Sequence, residues 1–221
     1  MPQRLLDDEV LFEASADAPA GRVLVVACGA IAREVLAVIQ LNGWTHVTLQ
    51  CLPGRLHNTP GEIAGKVDAK LSAAEESGNY DATFVAYGDC GTAGALDDVL
   101  AAHGVDRLPG DHCYGFFAGV EAFAAMHEDD PWTFYLTDFL CRHFERLVVR
   151  GLKIDTHPEL LPLYFGNYRR LVYLSQIDDP ALVERGREAA VFLGLEFEHR
   201  PSGYGDLRPS LERFVGVAPR G

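Results

Sequence analysis

One device recurs along this chain and constrains its fold more than anything else. An apolar, β-branched run stops at a glycine-bearing turn, and apolar residues at helical spacing follow at once. Residues 23–27 form the first such run. Cys28-Gly29 turns it, and Ile31, Val35, Val38 and Ile39 follow three or four positions apart. The run at 83–87 ends in Gly88-Asp89-Cys90-Gly91 and leads into an Ala/Leu-rich segment at 92–103. A continuous apolar run suits a strand buried on both faces, and strands alternating with helices mean βαβ units. The fold expected is therefore α/β, an open, mostly parallel, Rossmann-like sheet with helices on both faces.

Further strands are expected at 47–52, 132–137, 170–176 and 195–199, with a short one within 104–109. Helices are expected at 61–77, 116–127, 139–150 and 180–193. Segment 155–167, carrying Pro158 and Pro162, reads as irregular. Residues 1–20 are polar and read as an N-terminal arm, and 21–221 as a single α/β domain. A chain of 221 residues is long enough for one good-sized core.

The formal charge of −13 argues against a nucleic-acid partner, because neutralising phosphates needs a basic surface. No apolar run is long enough to span a bilayer, so no membrane association is expected. The N-terminus turns acidic at Asp7-Asp8-Glu9, where a signal peptide would be apolar, and a cytoplasmic location follows. Five cysteines without regular spacing do not make a disulfide framework; in a reducing compartment some can serve as ligands or reactive thiols. The apolar helices and the sheet edge are compatible with a homo-oligomer without demanding one.

Parallel strands place their carboxyl ends on one edge of the sheet, and side chains just after different strands converge there. Cys28, Cys90 and Cys113 each occupy such a turn. Three thiolates leave one position of a tetrahedral site open, which suits zinc with a water or substrate ligand, or a [4Fe-4S] cluster with one iron uncapped. Cys51 (mid-strand) and Cys141 (in a helix) read instead as small hydrophobes. Among groups able to move a proton, His57 lies in a loop, Asp89 precedes Cys90, and Asp138 opens a helix just after a strand. Asp89 and Asp138 also suit turn and capping roles. His112, beside Cys113, is a further imidazole for a fourth ligand position or proton transfer. Walker A, GxGxxG, GxSxG and HExxH patterns are missing.

The turn at 27–30 (Ala-Cys-Gly-Ala), Leu56-His57 with Pro60, Tyr87-Gly88-Asp89-Cys90-Gly91, Asp111-His112-Cys113 and the strand Thr133-Phe134-Tyr135-Leu136-Thr137 together resemble a bacterial and archaeal family, domain of unknown function 1638. The resemblance covers roughly residues 23–207. The third turn reads Asp-His-Cys where many relatives have His-Asp-Cys, which keeps Cys113 in register but not His112. The resemblance implies a setting near corrinoid-dependent methyltransferases of one-carbon metabolism, and so a corrinoid protein or methyltransferase as partner. The function expected is a metal-centre protein, zinc or iron–sulfur, acting on a small-molecule substrate in methyl-group metabolism. The alternatives are a metal-free small-molecule-binding or accessory protein, and a transferase or lyase with Cys90 as nucleophile and Asp89 or His112 as base.

Overall fold

The computed structural model describes residues 22–217; the arm expected at 1–20 lies outside them. In chain order the strands are β1 (Val23–Cys28), β2 (Val47–Leu52), β3 (Ala82–Ala86), β4 (Asp106–Arg107), β5 (Thr133–Leu136), β6 (Arg170–Ser175) and β7 (Glu196–Pro201). The α-helices are α1 (Ala32–Leu41), α2 (Ile63–Ser77), α3 (Ala95–His103), α4 (Cys113–Ala118), α5 (Val120–Asp129), α6 (Asp138–Phe144), α7 (Leu160–Phe165), α8 (Pro180–Leu193) and α9 (Leu207–Val217). The chain is α/β, with helices flanking parallel strands. It forms two compact units, one running to Phe116 and resuming at Asp206, the other Phe117–Gly205.

The first unit holds a four-stranded parallel sheet in the order β2-β1-β3-β4. β1 is central, with Val25 registered against Leu49 on one side and Phe84 on the other. Every residue of β1 is buried, which is why its sequence is a continuous apolar run. The neighbours of β1 continue the chain in opposite directions across the sheet, so the order reverses between β1 and β3. Open α/β sheets place their ligand crevice at that reversal, beyond the carboxyl ends of the strands.

The helices of this unit are set by apolar stripes and glycine stops. α2 buries Ile63, Val67, Leu71 and Ala74 and ends at Gly78, whose φ of 62° closes the helix in the left-handed region. α9 buries Leu207, Leu211 and Val215, one face at four-residue intervals. Phe214 of this helix stacks on Phe84 of β3 with ring centroids 4.6 Å apart.

The second unit holds a separate three-stranded parallel sheet, β5-β6-β7. Thus the expected strands are present and parallel, but they are shared between two sheets. β4 pairs with β3 through two residues only, and β5 opens a new ladder with β6. α8 begins with Asp179, whose Oδ1 accepts the Ala181 amide at 2.9 Å, and Pro180 takes the first helical position. Gly186 lets α8 lie close to the sheet, since a Cβ there would stand 3.1 Å from the Phe197 ring.

Three expected elements differ. The helix expected at 116–127 is broken at Gly119 (φ 88°) into α4 and α5. The helix expected at 139–150 becomes α6 followed by a π-helix, Glu145–Arg150, after His143 leaves helical geometry. The segment expected to be irregular contains α7, because Pro162 falls in the first turn, where its missing N–H costs nothing.

Candidate functional site

Each strand of the first unit sends a chemically active residue beyond its carboxyl end. Cys28 is the last residue of β1, and its sulfur accepts the Ala30 amide at 3.4 Å as the next helical turn begins. β2 leads through Pro53 into a 3₁₀ turn, Gly54–Asn58. Leu56 is buried and pins this turn, leaving the adjacent His57 partly open to solvent. β3 is followed by the buried Tyr87 and then by Cys90, and the loop after β4 ends at Cys113.

Close backbone approaches hold these ends together. A Cβ on Gly88 would stand 3.0 Å from the carbonyl oxygens of both Gly110 and Asp111, so glycine alone fits without displacement. The same two carbonyls accept the Asp89 and Cys90 amides at 3.2 and 2.7 Å. This clasp ties the Cys90 loop to the loop carrying Cys113. A Cβ on Gly91 would stand 3.5 Å from the Pro60 side chain, so the Cys90 loop passes close to the end of the His57 segment. Cys90 has a φ of 52°, a left-handed conformation unusual for a residue with a Cβ. Arg107 fixes the other side of the clasp, donating to the Leu108 and Gly110 carbonyls at 2.9 and 3.0 Å and pairing with Asp97.

The result is a cluster of four soft donors. The Cys28, Cys90 and Cys113 thiols are buried, 4%, 9% and 8% exposed. His57 Nδ1 lies 3.8 Å from the Cys28 sulfur, and the Cys90 and Cys113 thiols are near enough to shift its ionisation. Burial pushes the Cys28 thiol up, but the charge and hydrogen bond of His57, with the Ala30 amide and Tyr87, bring it below the usual thiol range. Desolvation of the ring among the packed thiols pulls His57 down, yet the charge on Cys28 and the influence of Cys113 and Cys90 raise it well above the ordinary imidazole value. Burial holds Cys113 above the ordinary thiol value against the opposing pull of His57. The pair Cys28–His57 is therefore inclined towards thiolate and imidazolium.

Beneath the thiols lies Tyr87, 1% exposed, its hydroxyl without a hydrogen-bond partner. It faces the Cys28 sulfur, with Cys90 and Cys51 next in influence, and burial followed by Cys28 raises its phenol well above the usual range. The phenol thus keeps its proton. Leaving such a hydroxyl unpaired costs about 1–3 kcal/mol.

The remaining candidates stand elsewhere. The Asp89 carboxylate accepts from Thr92 Oγ1 at 2.7 Å and from the Gly94, Gly91 and Ala93 amides at 3.0, 3.1 and 3.3 Å. The Gly94 amide is the main cause of its acid group lying below the usual carboxylate range. Asp89 shapes the Cys90 loop. Asp138 belongs to the second unit, where its Oδ1 accepts the Tyr173 hydroxyl at 2.6 Å and the Gln176 amide at 3.0 Å. Its Oδ2 accepts the Ile177 amide at 3.2 Å, so the carboxylate ties the end of β6 to the start of α6. His112 is exposed, with its ring 6.2 Å from that of Tyr114; the imidazole at the thiols is His57. Cys141, also in the second unit, is buried and its thiol is pushed up to about 12.

Three thiols and an imidazole are the donor chemistry of zinc and of iron–sulfur clusters. In a tetrahedral zinc site a sulfur and a nitrogen ligand stand about 3.6 Å apart, from bond lengths of about 2.3 and 2.0–2.1 Å. The Cys28–His57 separation of 3.8 Å lies near that edge and equally suits a direct sulfur–imidazole hydrogen bond. As the side chains stand, no group of three or more His, Cys, Asp or Glu among the described residues is arranged to hold an ion. The donor types fit a soft metal, and ligation requires the cluster to draw together from its hydrogen-bonded arrangement.

No described helix is long and apolar enough to cross a membrane. Comparison with curated proteins and with solved structures gives no match. A family model described as a protein of unknown function (DUF1638) matches residues 51–211, a stretch that includes His57, Tyr87, Cys90 and Cys113 and begins beyond Cys28. With most of its length covered by that match, the chain belongs to the DUF1638 family.

Proposed function

We propose that the first unit carries a soft-metal centre ligated by Cys28, Cys90, Cys113 and His57, acting in methyl-group metabolism. The observation that carries this reading is that three buried thiols from separate strand ends surround one imidazole, which lies 3.8 Å from the Cys28 sulfur and has its ionisation shifted by all three. A thiolate-bound zinc would supply Lewis-acid activation of a thiol, and an iron–sulfur cluster would supply electrons.

The residues divide the work by exposure. The three cysteines are buried and hold; His57 is the solvent-facing member, and its displacement opens a position for a small-molecule substrate. Once displaced, the imidazole can take the proton that a thiol substrate loses on binding. Both chemistries suit a cytoplasmic partner of a corrinoid-dependent methyltransferase system, the setting implied by the sequence resemblance.

Metal analysis of protein purified without oxygen or chelators tests the reading. Near-stoichiometric zinc without visible colour, or several irons with broad brown absorption, is expected. Cys28→Ser, Cys90→Ser and Cys113→Ser each lose most of that metal, while Cys51→Ser keeps it. A folded, monodisperse wild type free of metal overturns the reading.

The 3.8 Å approach of Cys28 to His57 favours a second reading, a metal-free thiol nucleophile. It moves the nucleophile from Cys90 to Cys28 and the base from Asp89 or His112 to His57. Selective alkylation of Cys28 in metal-free protein, suppressed in His57→Ala, would support it. Full function in a triple serine variant would instead favour the accessory-protein reading.

A further inference from the structure

The buried hydroxyl of Tyr87 is not one of the four ligands, and its surroundings give it another role. A phenylalanine would fill the same buried position without stranding a donor. Tyr87 follows β3 immediately and Cys28 ends β1, so the two flank the point where the sheet order reverses. The hydroxyl is near enough to the Cys28 sulfur for each group to shift the other's ionisation, yet no partner meets it at full hydrogen-bond geometry. A thiolate ligand keeps lone pairs directed away from its metal, and a donor beneath it stabilises that charge. Hydrogen bonds to ligating sulfurs set both the affinity of a site and its electronic properties.

Building on the metal-centre reading, we infer that Tyr87 is a positioning residue which donates its hydroxyl hydrogen bond to the Cys28 sulfur when the centre is loaded. Drawing the four ligands together would bring the Cys28 sulfur within full hydrogen-bond reach of that hydroxyl. Tyr87 takes no part as a ligand; it acts through Cys28.

Cobalt(II), which reports thiolate ligation through its sulfur-to-metal charge-transfer absorption, is the probe. Metal-free wild type and Tyr87→Phe are titrated with it in the absence of oxygen, alongside thermal unfolding of both metal-free proteins. Tyr87→Phe is expected to bind cobalt about 10-fold more weakly or worse, with a shifted charge-transfer band. Its metal-free form is expected to unfold at the same or a higher temperature, because the stranded hydroxyl is gone.

Equal affinity with an unchanged band overturns the role of Tyr87 and leaves the metal centre standing. A clearly less stable metal-free Tyr87→Phe also overturns it, since the hydroxyl would then be fully bonded without metal. Failure of wild type to take up cobalt through thiolates removes the metal-centre reading, and the inference about Tyr87 falls with it.

Discussion

Gly88 shows how one missing methyl group can govern a whole cluster. The two carbonyls that a Cβ would meet at 3.0 Å are the same ones that accept the Asp89 and Cys90 amides. Gly88→Ala therefore pushes the Cys90 loop off the Cys113 loop. We expect it to lower stability by about 1–3 kcal/mol, measured by urea unfolding. It should also weaken metal uptake, because two of the four ligands separate. Unchanged stability and metal content would show that the clasp is not what brings Cys90 to Cys113. The three cysteine turns were readable from sequence because each is local: an apolar run, a thiol and a turn. The choice of His57 over His112, and the place of Tyr87 beneath Cys28, were not. Both depend on which loops meet in space, and the Gly88 and Gly91 approaches that decide this join positions far apart in the chain.

At the scale of elements, buried hydrogen bonds separate structural carboxylates from reactive ones. Asp138 accepts from Tyr173 and from two backbone amides, so its oxygens are occupied in linking β6 to α6. Tyr173→Phe removes a hydrogen bond to a charged group and is expected to cost about 1.5–3 kcal/mol in chemical unfolding. A change of activity without a change of stability would instead return Asp138 to the list of proton carriers.

A second element contact gives a pH dependence. His103 of α3 bridges Glu75 and Asp68 of α2 at 2.6 and 2.8 Å, and the Asp68 bond is the main cause of its raised value. Its charged form is favoured by folding, so this contribution is complete below the ordinary imidazole value of about 6.5 and fades as pH rises through the raised one. His103→Gln should flatten the loss of stability over that interval; an unchanged pH profile would contradict the bridge.

Element boundaries followed the same division between local and distant causes. The stop of α2 at Gly78 and the Asp179-Pro180 start of α8 are local signals. α9 also carried a readable stripe, Leu207, Leu211 and Val215, although Pro209 obscured its start. The π-helix after α6 had no such local signature.

Over the whole molecule, the parallel α/β class was legible because fully buried strands leave continuous apolar runs. The distribution of strands between two sheets was not, since a run says that a strand is buried but not which strand it pairs with. All four proposed ligands belong to the unit built on the first sheet. Loading with metal at about 100 times its Kd should stabilise the folded state by about 2.7 kcal/mol. In hydrogen exchange the gain in protection should fall on residues 23–116 and 206–217 before it appears in 117–205. Protection gained first in the second unit would place the metal elsewhere.

X-ray absorption at the edge of the metal that copurifies reads the ligand set itself. For zinc, three sulfur neighbours at about 2.3 Å and one nitrogen at about 2.0–2.1 Å are expected, with one sulfur fewer around whatever metal the Cys28, Cys90 and Cys113 serine variants retain and none fewer in Cys51→Ser. For a cluster, iron–sulfur and iron–iron shells that vanish in the same variants are expected. A shell of oxygen and nitrogen alone, or folded protein with no metal to measure, would contradict the four-ligand centre.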